Sequence, residues 1–264
     1  MALVAGIDCG TNSIRLIIAD RQASGEPLNV RTREMRIVRL GEGIDKTGQF
    51  APAALERCFA AVDEYAQIIS KYGADKIRFV ATSASRDAGN RDEFFTGIKE
   101  RLGVTPEVIS GEEEATLSFS GATSSFRDED EPVLVVDIGG GSTEFVLGQR
   151  GQVIDAISTN MGSVRIFERY LAPVVADAKS GDGSLDPRQT PGIAKALIKA
   201  ANAIDQLIDE ADKKLGLDRA RTLIGVAGTV TTITAHALGL NDYEPEKIHG
   251  SRITPAQMLR SCNW

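Results

Sequence analysis

Apolar residues along the chain follow two alternating patterns, one typical of strands and one typical of helices. Short apolar runs at 3–7 and 14–19 flank a tight turn and predict a β-hairpin, with a third strand expected over 35–40. Apolar residues then recur every three or four positions, which predicts a helix from 52 that Gly73 ends. Further strands and helices are expected in alternation at 77–81, 91–102, 107–109 and 111–121. This order is typical of an α/β fold with a mostly parallel sheet.

The same pattern begins again after the acidic segment 127–132, where like charges and a proline favour an exposed boundary. A D-x-G-x-x-S motif at residues 8–13 recurs at residues 137–142. The later elements are predicted as strands at 133–136, 143–147 and 153–158 and as a long amphipathic helix at 193–215. We interpret the repeat as a divergent duplication and predict two similar domains, residues 1–126 and 127–264. By analogy with the first half, the second lacks a final strand and helix, so we expect it to be truncated at its C-terminus.

Composition narrows the class of protein. The 264 residues are 42% hydrophobic and 25% charged, and 30 Lys and Arg against 37 Asp and Glu give a net charge of -7. This balance is typical of a globular protein, and it disfavours a disordered chain or a general nucleic-acid binder. Three distant cysteines and two histidines do not indicate a zinc site, and no apolar stretch predicts a membrane helix or signal peptide. We therefore expect a cytoplasmic protein.

The two D-x-G-x-x-S turns carry the strongest chemical signal. A glycine-rich turn between strands presents successive backbone N–H groups to an anion, and glycine lets phosphate oxygens approach without a Cβ atom in the way. Two such turns, one in each half, can grip a phosphate chain between them. The alternative is a pair of ordinary hairpins in which glycine satisfies a positive φ, but recurrence in both halves favours phosphate binding.

Three carboxylates lie beside these turns. Asp8 and Asp137 each end the first strand of a half. There they can hold Mg²⁺ directly or through water, or can instead accept hydrogen bonds from their own turns. Glu144 follows the second turn, where it can face the cleft and position metal or water, or can face solvent.

A fourth carboxylate, Glu114, lies in the acidic first turn of the helix predicted at 111–121. Ser110 and Glu113 have the spacing of a capping box, so Glu113 already has a structural role. Glu114 lies about 100° further round the helix and is freer to point into the cleft. A carboxylate there can orient and deprotonate a water for attack on phosphorus. The alternative is that the acidic turn only stabilises the helix N-terminus.

Two other segments suit phosphate. Arg86 follows the buried strand 77–81 and projects from the C-terminal edge of the sheet, where ligands usually bind and where a guanidinium matches phosphate oxygens. The alternative for Arg86 is a salt bridge to Asp87 or Asp92. Gly228 and Thr229 open a helix after a strand, which favours a further phosphate contact.

Five segments together resemble the exopolyphosphatase and guanosine pentaphosphate phosphatase family, within the actin, sugar-kinase and Hsp70 superfamily. The segments occur in the order and spacing of the family, and the resemblance extends from residue 1 to about residue 255. They are 6–15 (GIDCGTNSIR), 81–87 (ATSASRD), 109–115 (ISGEEEA), 136–144 (VDIGGGSTE) and 225–229 (GVAGT).

The resemblance implies two ribonuclease H-like (actin-like) domains with a substrate cleft between them, and hydrolysis of phosphoanhydride bonds by Mg²⁺-assisted attack of water. The implied substrate is polyphosphate or guanosine pentaphosphate, with guanosine tetraphosphate as a related ligand, and a homodimer is reasonable. Glu114 would be the general base, and Asp137, Glu144 and Asp8 would position metal or water. The implied phosphate contacts are Asn12, Ser13, Arg86, Gly139, Gly140, Gly141, Ser142, Gly228 and Thr229.

The sequence departs from the family pattern in one respect. Family members continue into a glycine-rich segment of the form IGGG that completes the second domain, and this sequence ends before it. Two other functions stay open at this point. A non-catalytic sensor would bind alarmone nucleotides or polyphosphate, and a small-molecule kinase of the same superfamily would share the paired turns. We rank the hydrolase first, the sensor second and the kinase third.

Overall fold

The first half of the chain forms a five-stranded sheet. The computed structural model describes residues 3–20, 28–124, 130–180, 185–186 and 190–261. The elements of this half are β1 (Leu3–Cys9), β2 (Ser13–Asp20), β3 (Asn29–Ile37), α1 (Ile44–Thr47), α2 (Pro52–Tyr72), β4 (Lys76–Ala81), α3 (Ser83–Asp87), α4 (Arg91–Leu102), β5 (Glu107–Val108) and α5 (Gly111–Thr123). The strand order is β3-β2-β1-β4-β5. The first three strands are antiparallel, and β4 and β5 continue the sheet in parallel with β1.

The second half repeats this arrangement. Its elements are β6 (Val133–Ile138), β7 (Thr143–Gln149), β8 (Gln152–Thr159), α6 (Ser163–Ile166), a π-helical turn (Phe167–Leu171), α7 (Ala172–Ser180), α8 (Pro191–Leu215), a 3-10 turn (Leu217–Arg219), β9 (Thr222–Val226), α9 (Ala227–Ala237), α10 (Pro245–Ile248) and α11 (Pro255–Ser261). The strand order β8-β7-β6-β9 matches β3-β2-β1-β4, with the same antiparallel and parallel pairs. The predicted α/β fold of two similar halves is therefore confirmed.

Helix α2 shows how a local pattern determines an element. Pro52 occupies the first turn, where its missing N–H costs nothing, and Gly73 ends the helix with a φ of 69°. The residues at the predicted apolar spacing are buried in the core of the first half, among them Leu55, Val62 and Ile69. Burying an aliphatic side chain contributes about 1.5–3 kcal/mol, so the apolar face fixes the helix on the sheet.

The two halves differ in how their last elements pack. Within the described residues, the second sheet has no strand that corresponds to β5, and the truncation expected from the sequence stays a prediction. Helix α5 follows β5 but buries Ala115 and Phe119 against Val133, Val135 and Val146 of the second sheet. The boundary between residues 126 and 127 also stays a prediction. Helix α5 lies before that boundary in the chain but packs against the second sheet.

Two elements differ from the expectations. The third strand runs from Asn29 to Ile37 instead of over 35–40, because its exposed edge carries polar residues and lacks the apolar alternation of β2. The apolar residues that suggested 35–40 include Val38 and Leu40, which are buried in the following loop. The helical stretch from α6 to α7 was not predicted.

Within the described residues no helix is both long and apolar enough to span a bilayer.

Candidate active site

The two D-x-G-x-x-S turns have the same backbone geometry and lie against each other. In the first turn the Gly10 amide donates to the Ser13 carbonyl at 3.0 Å, and in the second the Gly139 amide donates to the Ser142 carbonyl at 3.0 Å. Both serines are buried, at the starts of β2 and just before β7. The shared geometry follows from the shared glycine and serine positions of the motif.

Glycine is required where the second turn meets the first half. A Cβ atom on Gly141 would lie 2.4 Å from Ser83 Oγ and 2.5 Å from Thr11 Oγ1, and one on Gly140 would lie 3.3 Å from Asn12 Cβ. Real Cβ contacts are longer than the first two distances. The structure therefore brings together the predicted phosphate contacts of both halves, Asn12, Ser13, Gly139, Gly140, Gly141 and Ser142.

Arg86 lies at the C-terminal edge of the first sheet, on the short helix α3 that follows β4. Its Nη1 atom donates to the Ile109 carbonyl and to Glu114 Oε2, each at 2.9 Å. The alternative of a salt bridge from Arg86 to Asp87 or Asp92 is wrong, because Arg86 pairs with Glu114. Two residues that the sequence placed separately thus form one pair.

Glu113 and Glu114 are neighbours at the N-terminus of α5, but their carboxylates bind different partners. Ser110 Oγ accepts a hydrogen bond from the Glu113 amide at 3.1 Å, and the Glu113 carboxylate binds Arg78 at 2.9 Å. Glu114 turns the other way, toward Arg86. Burial raises the pKa of the Glu114 carboxyl, Arg86 opposes this effect, and the charges of Asp8 and Asp137 add to it.

Asp137 and Glu144 face each other across the β6–β7 hairpin. Asp137 Oδ2 accepts from Ser118 Oγ at 2.6 Å, and Glu144 Oε1 accepts from Ser158 Oγ at 2.7 Å. Glu144 is only 1% exposed, so it does not face solvent. Burial, and after it the charge of Glu114, raise the pKa of Glu144 to about 7, against the hydrogen bonds from Ser158 and Ser142.

Asp8 completes a set of four carboxylates. It forms an ion pair with Arg15 at 3.1 Å, and 42% of its side chain is exposed. Burial nevertheless raises the pKa of Asp8, against Arg15 and with a contribution from Asp137. A carboxyl that water reaches but protein surrounds is typical of a cleft. We call these four residues, Asp8, Glu114, Asp137 and Glu144, the acid cluster.

The acid cluster suits a cation that also binds substrate. Among the residues that the structure describes, no three His, Cys, Asp or Glu side chains converge as a preformed metal cage. Mg²⁺ does not need one, since it usually takes one or two carboxylates together with waters and substrate phosphates. Burial, and after it the charges of neighbouring carboxylates, raise the pKa values of Asp8, Glu114 and Glu144, so a bound cation would favour their ionised forms.

Gly228 and Thr229 lie at the same edge of the second sheet. They open α9 directly after β9, and in the sheet register Asp137 pairs with Val226, two residues before Gly228. Ala227, which joins β9 to Gly228 as the first residue of α9, has a φ of 69°, which is strained for a residue with a side chain. The structure thus places both residues beside the end of β6, and their role as phosphate contacts stays a prediction.

A second charged cluster was missed by the sequence reasoning. Arg165 and Arg169 of the second half bind Asp45 of the first at 2.8 and 2.5 Å, and Arg165 binds Asp87 at 2.5 Å. Both carboxylate oxygens of Glu168 accept from the Gly43 amide, at 3.0 and 3.1 Å. We call these five residues, Asp45, Asp87, Arg165, Glu168 and Arg169, the lock cluster.

The helical stretch that carries Arg165, Glu168 and Arg169 could have been predicted from its apolar spacing. Val164, Phe167 and Leu171 follow the three- and four-residue spacing of an apolar helix face, with the charged residues between them. This spacing predicts the helix but not its partners. Hydrogen bonds from Arg169 and then Arg165 lower the pKa of Asp45.

Comparison with known proteins finds one matching family and several similar proteins. Residues 17–263 match the model of the Ppx/GppA phosphatase family. Exopolyphosphatase 2 of Mycobacterium tuberculosis is 42% identical over 267 residues, which cover 98% of this chain and 78% of that protein. The crystal structure of an exopolyphosphatase-like protein has 47% identity and a TM-score of 0.81, over 91% of this chain and 70% of that one. A PPX-GPPA enzyme of Aquifex aeolicus has 30% identity and a TM-score of 0.74, over 98% and 79%.

Proposed function

We propose that this chain, which belongs to the Ppx/GppA phosphatase family, hydrolyses the terminal phosphoanhydride bond of polyphosphate, of guanosine pentaphosphate, or of both. One observation carries the proposal. Glu114, a largely buried carboxylate with a raised pKa, is held by Arg86 within electrostatic reach of Asp8 and Asp137, the aspartates that begin the two glycine-rich turns. A proton acceptor placed next to a phosphate-type site is what hydrolysis of a phosphoanhydride needs.

In the proposed reaction Glu114 acts as general base. Its carboxylate orients a water and accepts one proton as the water oxygen bonds to the terminal phosphorus. The bond from that phosphorus to the bridging oxygen breaks, so orthophosphate leaves and the chain is one phosphate shorter. Burial raises the pKa of Glu114, and Arg86 favours the ionised form of this carboxyl by opposing that rise.

The two turns hold the phosphates in this proposal. The backbone amides of Gly140 and Gly141 and the buried hydroxyl of Ser13 are suited to phosphate oxygens, with Asn12 on the facing turn. The Gly139 amide already donates to the Ser142 carbonyl, and the Ser142 hydroxyl already binds Glu144, so these two residues would shape the turn around the phosphate. Arg86 offers a guanidinium from the edge of the first sheet, and Gly228 and Thr229 add a helix N-terminus. Donors from both halves would fix the terminal phosphorus between them.

Asp137, Glu144 and Asp8 are the residues that would hold Mg²⁺. When bound, Mg²⁺ would supply positive charge that lowers the repulsion between a carboxylate-lined site and a polyanion. Ser118 and Ser158 orient the two carboxylates of the second half through hydrogen bonds. These contacts aim the carboxylate oxygens before any ligand arrives.

Polyphosphate is the first substrate to test, because the M. tuberculosis relative is named an exopolyphosphatase. Guanosine pentaphosphate presents the same terminal bond and stays in the proposal as the second substrate. Guanosine tetraphosphate is proposed as a ligand, and the homodimer expected from the resemblance is a further part of the proposal.

The test is orthophosphate release in the presence of Mg²⁺ from tripolyphosphate, long-chain polyphosphate and guanosine pentaphosphate in parallel. Glu114→Gln serves as the blank, because it keeps the shape of the side chain and removes the base. We expect release that requires Mg²⁺ and disappears in the variant, with the fastest substrate naming the enzyme. A folded protein that releases no phosphate from any of them, yet binds guanosine tetraphosphate in calorimetry, would contradict the proposal and indicate a sensor.

A further inference from the structure

Arg165 connects the two halves at a single guanidinium. Its Nε atom donates to the Gly141 carbonyl at 2.7 Å, and Nη1 donates to Asp45 at 2.8 Å. Nη2 lies 2.5 Å from an Asp87 carboxylate oxygen and 3.4 Å from Ser83 Oγ. Only 10% of the side chain is exposed. All three nitrogen atoms are therefore engaged within the protein.

The contacts of Arg165 lead to the acid cluster by two short routes. Ser83 and Asp87 lie on α3, the same helix that presents Arg86 to Glu114. Gly141 is followed directly by Ser142, whose hydroxyl hydrogen-bonds Glu144. One guanidinium thus holds the helix that positions the base and the turn that positions Glu144.

The close packing of the second turn depends on this placement. Gly141 approaches Ser83 and Thr11 closely enough that a Cβ atom would not fit. Among the contacts described, two interactions join Gly141 to α3. They are van der Waals packing and the hydrogen bond from Arg165 to the Gly141 carbonyl. Small displacements of groups around a reacting centre can lower a rate by about 100-fold.

We infer that Arg165 is a positioning residue that sets the distance between Glu114 and Glu144 by tying the second glycine-rich turn to helix α3. This inference rests on the proposed function. Arg165 does not bind substrate, because its donors already face protein acceptors, two of which are carboxylates that a phosphate chain would have to displace. A lysine cannot replace it, since one ammonium group cannot reach acceptors that diverge around a planar guanidinium.

The experiment compares Arg165→Met and Arg165→Lys with the matched control Arg169→Met. Arg169 binds the same Asp45 but is 44% exposed. Initial rates of orthophosphate release from tripolyphosphate give kcat and KM for each variant. We expect kcat to fall by about 10- to 100-fold in both Arg165 variants, with KM changed less than about twofold. The Arg169 variant should keep both constants.

Three kinetic results would overturn the inference. They are a raised KM with an unchanged kcat in Arg165→Met, full activity in Arg165→Lys, and equal losses in the Arg165 and Arg169 variants. If Arg165→Met does not fold, Asp87→Asn replaces it. That variant removes one half-exposed partner of the guanidinium, and it should lower kcat less strongly but again at constant KM.

Hydrogen exchange separates a failure of this inference from a failure of the proposed function. Backbone amides of residues 139–142 should exchange faster in Arg165→Met than in the wild type and in Arg169→Met. A wild-type protein that releases no phosphate contradicts the proposed function, and the exchange measurement still tests whether Arg165 ties down the turn. Equal exchange in all three proteins would overturn the inference.

Discussion

The two charged clusters between the halves, the lock cluster and the acid cluster, have opposite electrostatic character. In the lock cluster, Arg165 and Arg169 face carboxylates from the other half, and they lower the pKa of Asp45. In the acid cluster, carboxylates face one another, and the pKa values of Asp8, Glu114 and Glu144 are raised. The opposite charges of the lock cluster pair across the two halves. In the acid cluster the described ion pairs set two arginines, Arg15 and Arg86, against four carboxylates, which leaves negative charge for a ligand to offset.

The same contrast appears between the two glycine-rich turns. Asp8 and Arg15 pair across the first hairpin, and Asp137 and Glu144 occupy the same register positions across the second. Arginine in the first hairpin neutralises its aspartate, while glutamate in the second adds a buried negative charge. Two hairpins with the same backbone register thus carry different chemistry through one position. We therefore assign cation binding mainly to the second hairpin in the proposed mechanism.

Apart from loss of the proposed general base, the largest effect is expected from Glu144→Gln. Losing the buried charge should lower phosphate release by about 100- to 1,000-fold, as loss of one key electrostatic group does elsewhere. The free energy of unfolding should stay the same or rise, because burial and Glu114 disfavour the ionised form and an amide can still accept from Ser158. Kinetics and urea unfolding at neutral pH check both parts. If Glu144→Gln instead unfolds at a lower urea concentration and keeps full activity, Glu144 stabilises the fold and does not contribute to phosphate release.

Gly141→Ala should produce the next largest effect. Its Cβ atom would meet Ser83 Oγ and Thr11 Oγ1, so overpacking should cost about 1–3 kcal/mol. Gly10→Ala is the matched control in the first turn, where the nearest atom to a Cβ is 3.6 Å away and a change within about 0.5 kcal/mol is expected. Urea midpoints of the two variants compare the turns directly. Equal stabilities would show that the turns do not pack as described.

Mg²⁺ should stabilise the protein through the acid cluster. At ten times its dissociation constant, a ligand of the folded state adds about 1.4 kcal/mol, which thermal unfolding with and without Mg²⁺ would detect as a higher midpoint. Asp137→Asn should reduce this shift, and Asp45→Asn in the lock cluster should not. A shift that survives Asp137→Asn would place the cation elsewhere.

The smallest effect concerns pH and the lock cluster. Because the pKa of Asp45 is lowered in the folded state, its ion pairs contribute stability above its unfolded pKa of about 3.9, and this contribution is lost as pH falls through the folded value. Asp45→Asn should therefore cost up to about 1 kcal/mol near neutral pH and nothing in strong acid. Urea midpoints across that range measure the difference. A constant cost at every pH would mean that the charge of Asp45 is not what stabilises the halves.

Local patterns were enough to predict most elements. Helices α2 and α8 follow from apolar spacing between a proline and a glycine, and the repeated motif predicted two similar halves. The start of β3 could not be predicted from the sequence pattern, because this exposed edge strand carries no apolar alternation. The candidate residues at the turns were found, but their partners were not. Arg86 pairs with Glu114, and Arg165 joins segments far apart in sequence. Both sets of contacts depend on tertiary packing, which local sequence patterns do not predict.

The most direct test of the account is a comparison of Glu114→Gln with Glu113→Gln. The two residues are adjacent on α5, but Glu113 binds the exposed Arg78 while Glu114 faces Arg86 in the acid cluster. With tripolyphosphate and Mg²⁺, Glu114→Gln should lower kcat by about 100- to 10,000-fold with calorimetric affinity retained. Glu113→Gln should change neither, as expected for an exposed ion pair. Equal rates in the two variants, or an equal loss of rate and affinity in Glu114→Gln, would contradict a general base at this position.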